Sequence, residues 1–165
     1  MTRRRTFGTI RELSSGRWQA RYTSPDGVRH RAPHSFVTKA KASQWLAGVE
    51  NDLARGTWID PDAGRIAVDV YARQWLKSRT NLRPRTVDLY EYLLDRHILP
   101  VLGHHTLGTL TPVTVRSWYG NLVRSSGAES LTPAKCYRLL RTILNTACTD
   151  GLIARNPCTI KGAGN

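Results

Sequence analysis

"RWQARYTSPDGVRHR", residues 17–31, sets Arg17, Gln19 and Arg21 at alternate positions with Trp18, Ala20 and Tyr22 between them. The turn signal Pro25-Asp26-Gly27 follows, and the alternation resumes with Arg29 and Arg31. Period-two alternation on both sides of such a turn predicts two antiparallel strands with one apolar and one polar face.

Gly8 to Leu13 predicts a short strand ended by Ser14-Ser15-Gly16, Arg17 to Thr23 a second, and Val28 to Phe36 a third. Pro33 has no N–H to give to a ladder, which places the third strand at an edge or bends it. Thr38 then caps a predicted helix over Lys39 to Arg55, with Ala42, Trp45, Leu46, Val49 and Leu53 at helical spacing and Gly56 at its end. Assembled, Trp18, Ala20 and Tyr22 share a face with Ile10, Val28 and Ala32 beneath the helix. The uncovered face carries Arg11, Arg17, Gln19, Arg21, Arg29 and Arg31. A face of like charge repels itself unless a polyanion lies on it. A three-stranded sheet is thin enough to enter the DNA major groove. There, Arg-to-guanine and Gln-to-adenine pairs each give about 1 to 3 kcal/mol of discrimination.

Asp60-Pro61-Asp62-Ala63-Gly64 is short, polar and rich in breakers, and predicts a linker. Beyond it the pattern is helical. Ile66 to Arg79 carries Val70, Tyr71, Trp75 and Leu76 on one stripe. Pro84 to Leu99 carries Val87, Tyr90 or Leu89, Leu93, Leu94 and Ile98. Pro112 to Ser125 follows the cap Thr111 with Val115, Trp118, Tyr119 and Leu122. Leu131 to Asp150 starts on Thr132-Pro133 and carries Leu139, Leu140, Ile143, Leu144 and Ala147. The fold class expected is therefore α+β: a small three-stranded antiparallel sheet with one helix, then a separate all-α four-helix bundle. The boundaries expected are 1–59 for the first module, 60–65 for the linker and 66–158 for the bundle, with 159–165 as a tail. The last helix has a second face, on which Lys135, Arg138 and Arg141 recur every three residues beside Thr142 and Asn145. With Arg83, Arg85 and Thr86 at the start of the second bundle helix, they form a second candidate phosphate-binding set.

Composition bounds the partner. The 165 residues carry 25 basic and 12 acidic side chains, a net charge of +13, with five Trp for core building. The excess is +6 over residues 1–60 and +7 over 61–165, so both parts suit the same polyanion. No apolar run approaches the roughly 20 residues of a membrane span, and Met1 to Arg5 leads into no signal core, so a cytoplasmic location away from membranes is expected. Arg3, Arg4 and Arg5 lengthen the basic N-terminal run without fixing a role. Cys136, Cys148 and Cys158 form no C-x-x-C pair and are read as reduced structural thiols. His30, His34, His104 and His105 lack the Cys or acid cluster of a metal site, so neither metal nor cofactor is expected.

The segments "LRPRTVDLYEYLLDRHILPVLG" (82–103), "LGTLTPVTVRSWY" (107–119) and "YRLLRTILNTACTDGLIARNPC" (137–158), after a basic sheet-and-helix module, resemble the N-terminal half of phage integrases of the tyrosine recombinase family. The resemblance runs from about Gly8 to Cys158 and implies two DNA-binding parts. Residues Gly8 to Leu46 resemble the arm-type binding domain, which gives Arg11, Arg17, Gln19, Arg21, Arg29 and Arg31 to arm sites. The bundle resembles the SAM-like core-binding domain, which gives Arg83, Arg85, Thr86, Lys135, Arg138 and Arg141 to the core site. Double-stranded DNA is the partner implied, with other integrase protomers and a host or phage DNA-bending protein beside it. The family's chemistry uses a tyrosine nucleophile with arginine, lysine and histidine neutralising the phosphate. No His-x-x-Arg occurs here, because the five His are followed three places on by Pro33, Val37, Pro100, Leu107 and Gly108. Only Thr159 to Asn165 follows the "NPC" end, so no catalytic residue is assigned. Binding without strand cleavage is expected of this chain, and tyrosine recombination of a full-length parent.

Three other readings compete. A stand-alone transcription regulator would use the same modules at an operator. A metal-dependent nuclease would need Glu12, Asp26, Asp52, Asp60, Asp62 or Asp69 to converge. An RNA-binding protein would need an aromatic such as Trp18 or Tyr22 on the exposed sheet face.

Overall fold

The computed structural model describes residues 7–127 and 130–164, so Arg3, Arg4 and Arg5 lie outside the described residues. The chain divides into two compact units, Met1–Trp58 and Ile59–Asn165.

In the first unit β1 (Thr9–Glu12), β2 (Trp18–Thr23) and β3 (Arg29–Arg31) form an antiparallel sheet in sequence order. Ile10 pairs with Ala20, Arg11 with Gln19, Arg21 with Arg31 and Tyr22 with His30. Helix α1 (Lys39–Ala54) packs on one side, and the Thr38 hydroxyl accepts the Lys41 N–H to cap its first turn. Ala20, Tyr22, Ala32, Phe36, Ala42 and Leu46 form the buried core. Three of these six are alanines, whose small side chains let helix and sheet backbones come close. The Trp58 indole N–H donates to the Tyr22 hydroxyl at 3.0 Å, which supplies that ring with a polar partner.

The third strand departs from expectation. It spans three residues rather than Val28 to Phe36, and Val28 is half exposed instead of lying under the helix. The Ser24 N–H donates to the Val28 carbonyl, and Gly27 at φ +86° turns the chain, so pairing begins one residue later. His30 takes the core position, stacked on Tyr22 with ring centroids 5.2 Å apart and 2.9 Å from the Ser24 hydroxyl. After Ala32 the ladder breaks at Pro33, which has no N–H. It resumes as a single bridge in which Trp18 and Phe36 exchange hydrogen bonds of 2.8 and 2.7 Å.

The second unit is built from α2 (Val68–Lys77), α3 (Pro84–Leu93), α4 (Leu99–Leu102), α5 (Pro112–Ser126) and α6 (Thr132–Thr149), with single 3-10 turns at Ala63–Arg65 and Leu107–Thr109. The second expected helix is longer than its pattern indicated. Its α3 part runs through a π turn, Leu94–Ile98, into α4. Pro100 explains the widening: it has no N–H to donate, and its ring crowds the carbonyl four residues back, so the turn before it opens and the Leu99 N–H reaches the Leu94 carbonyl. Val70, expected on the α2 stripe, is exposed. Val68, Tyr71, Ala72, Trp75 and Leu76 follow the i, i+3, i+4, i+7, i+8 rule, and position 70 falls outside that arc. Of the two alternatives on α3, Tyr90 packs against Trp75 and Leu89 faces out. Leu139, Leu140, Ile143, Leu144 and Ala147 of α6 run through the centre of the core. No helix among the described residues is long and apolar enough to cross a membrane.

Candidate nucleic-acid interface

The sheet face opposite α1 has Gln19 at its hub. The Gln19 side-chain oxygen accepts from Nε of Arg11, its cross-strand partner, at 3.1 Å and from Nε of Arg21 at 3.0 Å. Arg31 lies directly opposite Arg21, a like-charge pairing that costs stability unless something anionic compensates. Partial burial, then the charges of Arg11, Arg31 and Arg29, hold the Arg21 guanidinium below the usual arginine value. Among the described residues none of these arginines has an acidic partner. Asp26 is held below the ordinary carboxylate range by the Ser24 hydroxyl first and the Val28 N–H second, so its charge serves the turn. Gly8, Thr9, Arg21, Tyr22, Thr23 and Arg29 line a concavity beside the row.

Arg17 behaves differently from its neighbours in the alternation. Its guanidinium donates to the Ser35 hydroxyl and carbonyl, both at 2.6 Å, and so ties the start of β2 to the segment after Pro33. Tyr22 is buried under α1, and Trp18 is half buried in the same core with Lys39 Nζ 5.6 Å from its ring centroid. Neither aromatic stands on the arginine face, so the feature that an RNA-stacking surface needs is missing there among the described residues.

In the helical unit Lys135, Arg138 and Arg141 are exposed on α6, opposite the buried stripe. Thr142 donates its hydroxyl to the Arg138 carbonyl at 2.8 Å, and Asn145 accepts from the Asn156 amide at 2.6 Å. Arg83 is the N-cap residue of α3 but makes no side-chain cap. Arg85 is exposed, and the Thr86 N–H returns to the Arg83 carbonyl at 2.8 Å. Because α3 packs on α6, these two groups lie on neighbouring elements of one unit, though no hydrogen bond joins them among the described residues. Three acids of this unit pair with other arginines: Asp62 with Arg65, and Asp69 and Asp95 both with Arg73.

One further cation is fixed on this unit. Arg79, just past the end of α2, lies 4.6 Å from the Trp75 ring centroid and donates to the Thr146 hydroxyl at 3.0 Å. The sequence reading did not single it out, because it closes the expected helix as an ordinary polar residue and the hydroxyl it bonds is 67 residues away.

Residues 6–55 match the family described as phage integrase, N-terminal domain, and residues 69–123 match phage integrase, N-terminal SAM-like domain. The chain is 41% identical over 165 residues to an integrase assigned to prophage phiRv2 of Mycobacterium tuberculosis, covering 97% of this chain and 43% of the relative. It is 37% identical over 166 residues to the integrase of Mycobacterium phage L5, covering 96% and 44%. The chain thus spans less than half the length of these relatives. In structure it is similar to a Bacillus cereus integrase-like domain (TM-score 0.56, 23% identity, 62% of this chain and 86% of that one). It is also similar to lambda integrase in a dimer bound to a COC' core site (TM-score 0.55, 13% identity, 98% and 47%).

Proposed function

Residues 6–55 and 69–123 belong to the two N-terminal domain families of phage integrases, and from that premise we propose that this chain binds double-stranded DNA through both of its units. The observation that carries the reading is that each unit presents guanidinium groups with no acidic partner among the described residues, on a surface away from its apolar core. The sheet row, Arg11, Arg17, Gln19, Arg21, Arg29 and Arg31, reads arm-type sites in the major groove. The helical set, Arg83, Arg85, Thr86, Lys135, Arg138 and Arg141, holds the phosphates of a core-type site. The crystallised lambda relative bound to a core site supports the second assignment by analogy. In a polypeptide that also carries the tyrosine recombinase chemistry, these units would deliver it to its attachment sites.

Footprinting and affinity titration on attachment-region fragments at several salt concentrations test the proposal, using wild type, Arg21→Ala and Arg138→Ala. Two classes of protected site are expected, with Arg21→Ala losing one and Arg138→Ala weakening the other. If six to ten phosphates are engaged, affinity falls by about 10³ to 10⁵ between 50 and 200 mM salt. Salt-independent binding, or none, overturns the reading.

A further inference from the structure

Arg79 belongs to neither predicted set, yet its guanidinium is fixed on two sides, by a ring and by a hydroxyl, without an acidic partner among the described residues. The Thr146 hydroxyl accepts from the Trp75 indole N–H at 2.9 Å and from Arg79 at 3.0 Å, and it donates to the Thr142 carbonyl at 3.2 Å. One donor and two acceptor positions exhaust the capacity of a hydroxyl, so the bracket has no slack. Trp75 is itself buried in the core, and the guanidinium lies over its ring at a distance typical of a cation–π contact. Arg79 is therefore held at one terminal nitrogen and one face, while its side chain remains exposed.

The remaining guanidinium donors have no partner among the described residues. Asp150, which bears on the same corner through Tyr71, accepts the Tyr71 hydroxyl at 2.7 Å and makes no ion pair with Arg79. Thr146 stands one helical position beyond the polar face of α6 that carries Arg138, Thr142 and Asn145. Arg79 also lies in the α2–α3 connection that leads to Arg83 and Arg85. It is thus bonded to the helix that carries one predicted set and lies four residues along the chain from the start of the other.

We infer that Arg79 is a prearranged phosphate-binding residue of the helical unit, gripping the DNA backbone between the α3 and α6 sets. The inference rests on the DNA-binding reading above. Its physical basis is that a guanidinium already fixed in place loses little side-chain freedom on binding, and its free edge presents parallel N–H groups suited to phosphate oxygens. A contact to phosphate carries no base preference, so its loss weakens all duplexes alike.

The test uses the full chain and a random-sequence duplex, with affinity measured against salt for wild type, Arg79→Ala and Arg79→Lys, and with thermal melting of each. Arg79→Ala is expected to bind about tenfold more weakly at low salt, with a salt slope shallower by about one. Arg79→Lys keeps the charge but loses the planar fork, so it should retain the wild-type slope with reduced affinity. A purely structural Arg79 would lower the melting temperature of the alanine variant and leave the slope untouched, which overturns the inference. Wild type that fails to bind any duplex sinks the DNA-binding reading itself, and this inference with it.

Discussion

The side-chain oxygen of Gln19 accepts a hydrogen bond from Nε of Arg21 at 3.0 Å, two residues along the same strand. Arg11 takes a second bond to the same oxygen from the neighbouring strand. The acceptor end of the carboxamide is thereby occupied by protein, and the donor end is left for a ligand. An adenine read in the usual way needs both ends, to accept from N6 and donate to N7. Breaking the two bonds to free the oxygen costs about 0.5 to 1.5 kcal/mol each.

On the DNA-binding reading the centre of the sheet row is therefore a donor-only surface that seeks guanine O6 and N7 or phosphate oxygens. In a protected arm-type site, 7-deazaguanine, which lacks the N7 acceptor, should weaken binding by about tenfold, in line with the 1 to 3 kcal/mol of a good base pair contact. 7-Deazaadenine at the same site should change nothing. Gln19→Glu places a carboxylate between the two guanidiniums and should weaken all duplexes. A duplex that tolerates the guanine analogue but not the adenine one would return Gln19 to a direct adenine reader.

Gly8 is where the backbone of the sheet depends on a missing side chain. It has φ +69°, and a Cβ there would lie 2.8 Å from the Arg21 carbonyl oxygen and 2.9 Å from Cδ2 of Leu46. Gly16 has a similar φ of +71° with nothing within 4 Å. Both alanine substitutions carry the left-handed penalty of about 1 to 2 kcal/mol, and only Gly8→Ala adds a clash with backbone and core. Chemical denaturation should rank Gly8→Ala as the more destabilising. Because the clash falls on the backbone of Arg21, arm-site affinity should suffer more as well. Equal losses in both variants would show that the close approach does not matter.

The buried thiols make the helical unit sensitive to alkali. Burial pushes Cys136 and Cys158 up from 9.0 to about 12, and raises Cys148 as well. Between about pH 9 and about pH 12 the unfolded chain gives up protons that the folded one keeps, so this contribution is complete below pH 9 and is lost as pH rises through the window. Cys136→Ala with Cys158→Ala should flatten the fall in melting temperature over that range relative to wild type. In native protein at mildly alkaline pH a thiol reagent should modify Cys148 first, since Cys136 and Cys158 are buried. An unchanged slope in the double variant, or early reaction of Cys136, counts against this account.

Local pattern made much of the molecule legible. Alternation through Arg17–Thr23, the Thr38 and Thr111 caps, Pro at the start of α3, α5 and α6, and stripes such as Leu139, Leu140, Ile143 and Leu144 are properties of neighbouring residues, and the elements follow them. The same alternation separated an arginine face from an apolar one, because in a strand each successive side chain points the opposite way. Val28 leaves the expected face because alternation gives parity but not where pairing starts, and the hydrogen bonds of the Ser24–Val28 turn decide that.

Two modules, their element types and the side of each that carries positive charge are thus readable from local pattern. Packing alone settles which cations are free and which are held by other parts of the chain. Arg17 is tied to Ser35, Gln19 is shared by Arg11 and Arg21, and Arg79 is stacked on Trp75 and bonded to Thr146. Periodicity reports the direction in which a side chain leaves the backbone, whereas these roles depend on hydroxyls, carbonyls and rings that packing brings near from distant parts of the chain.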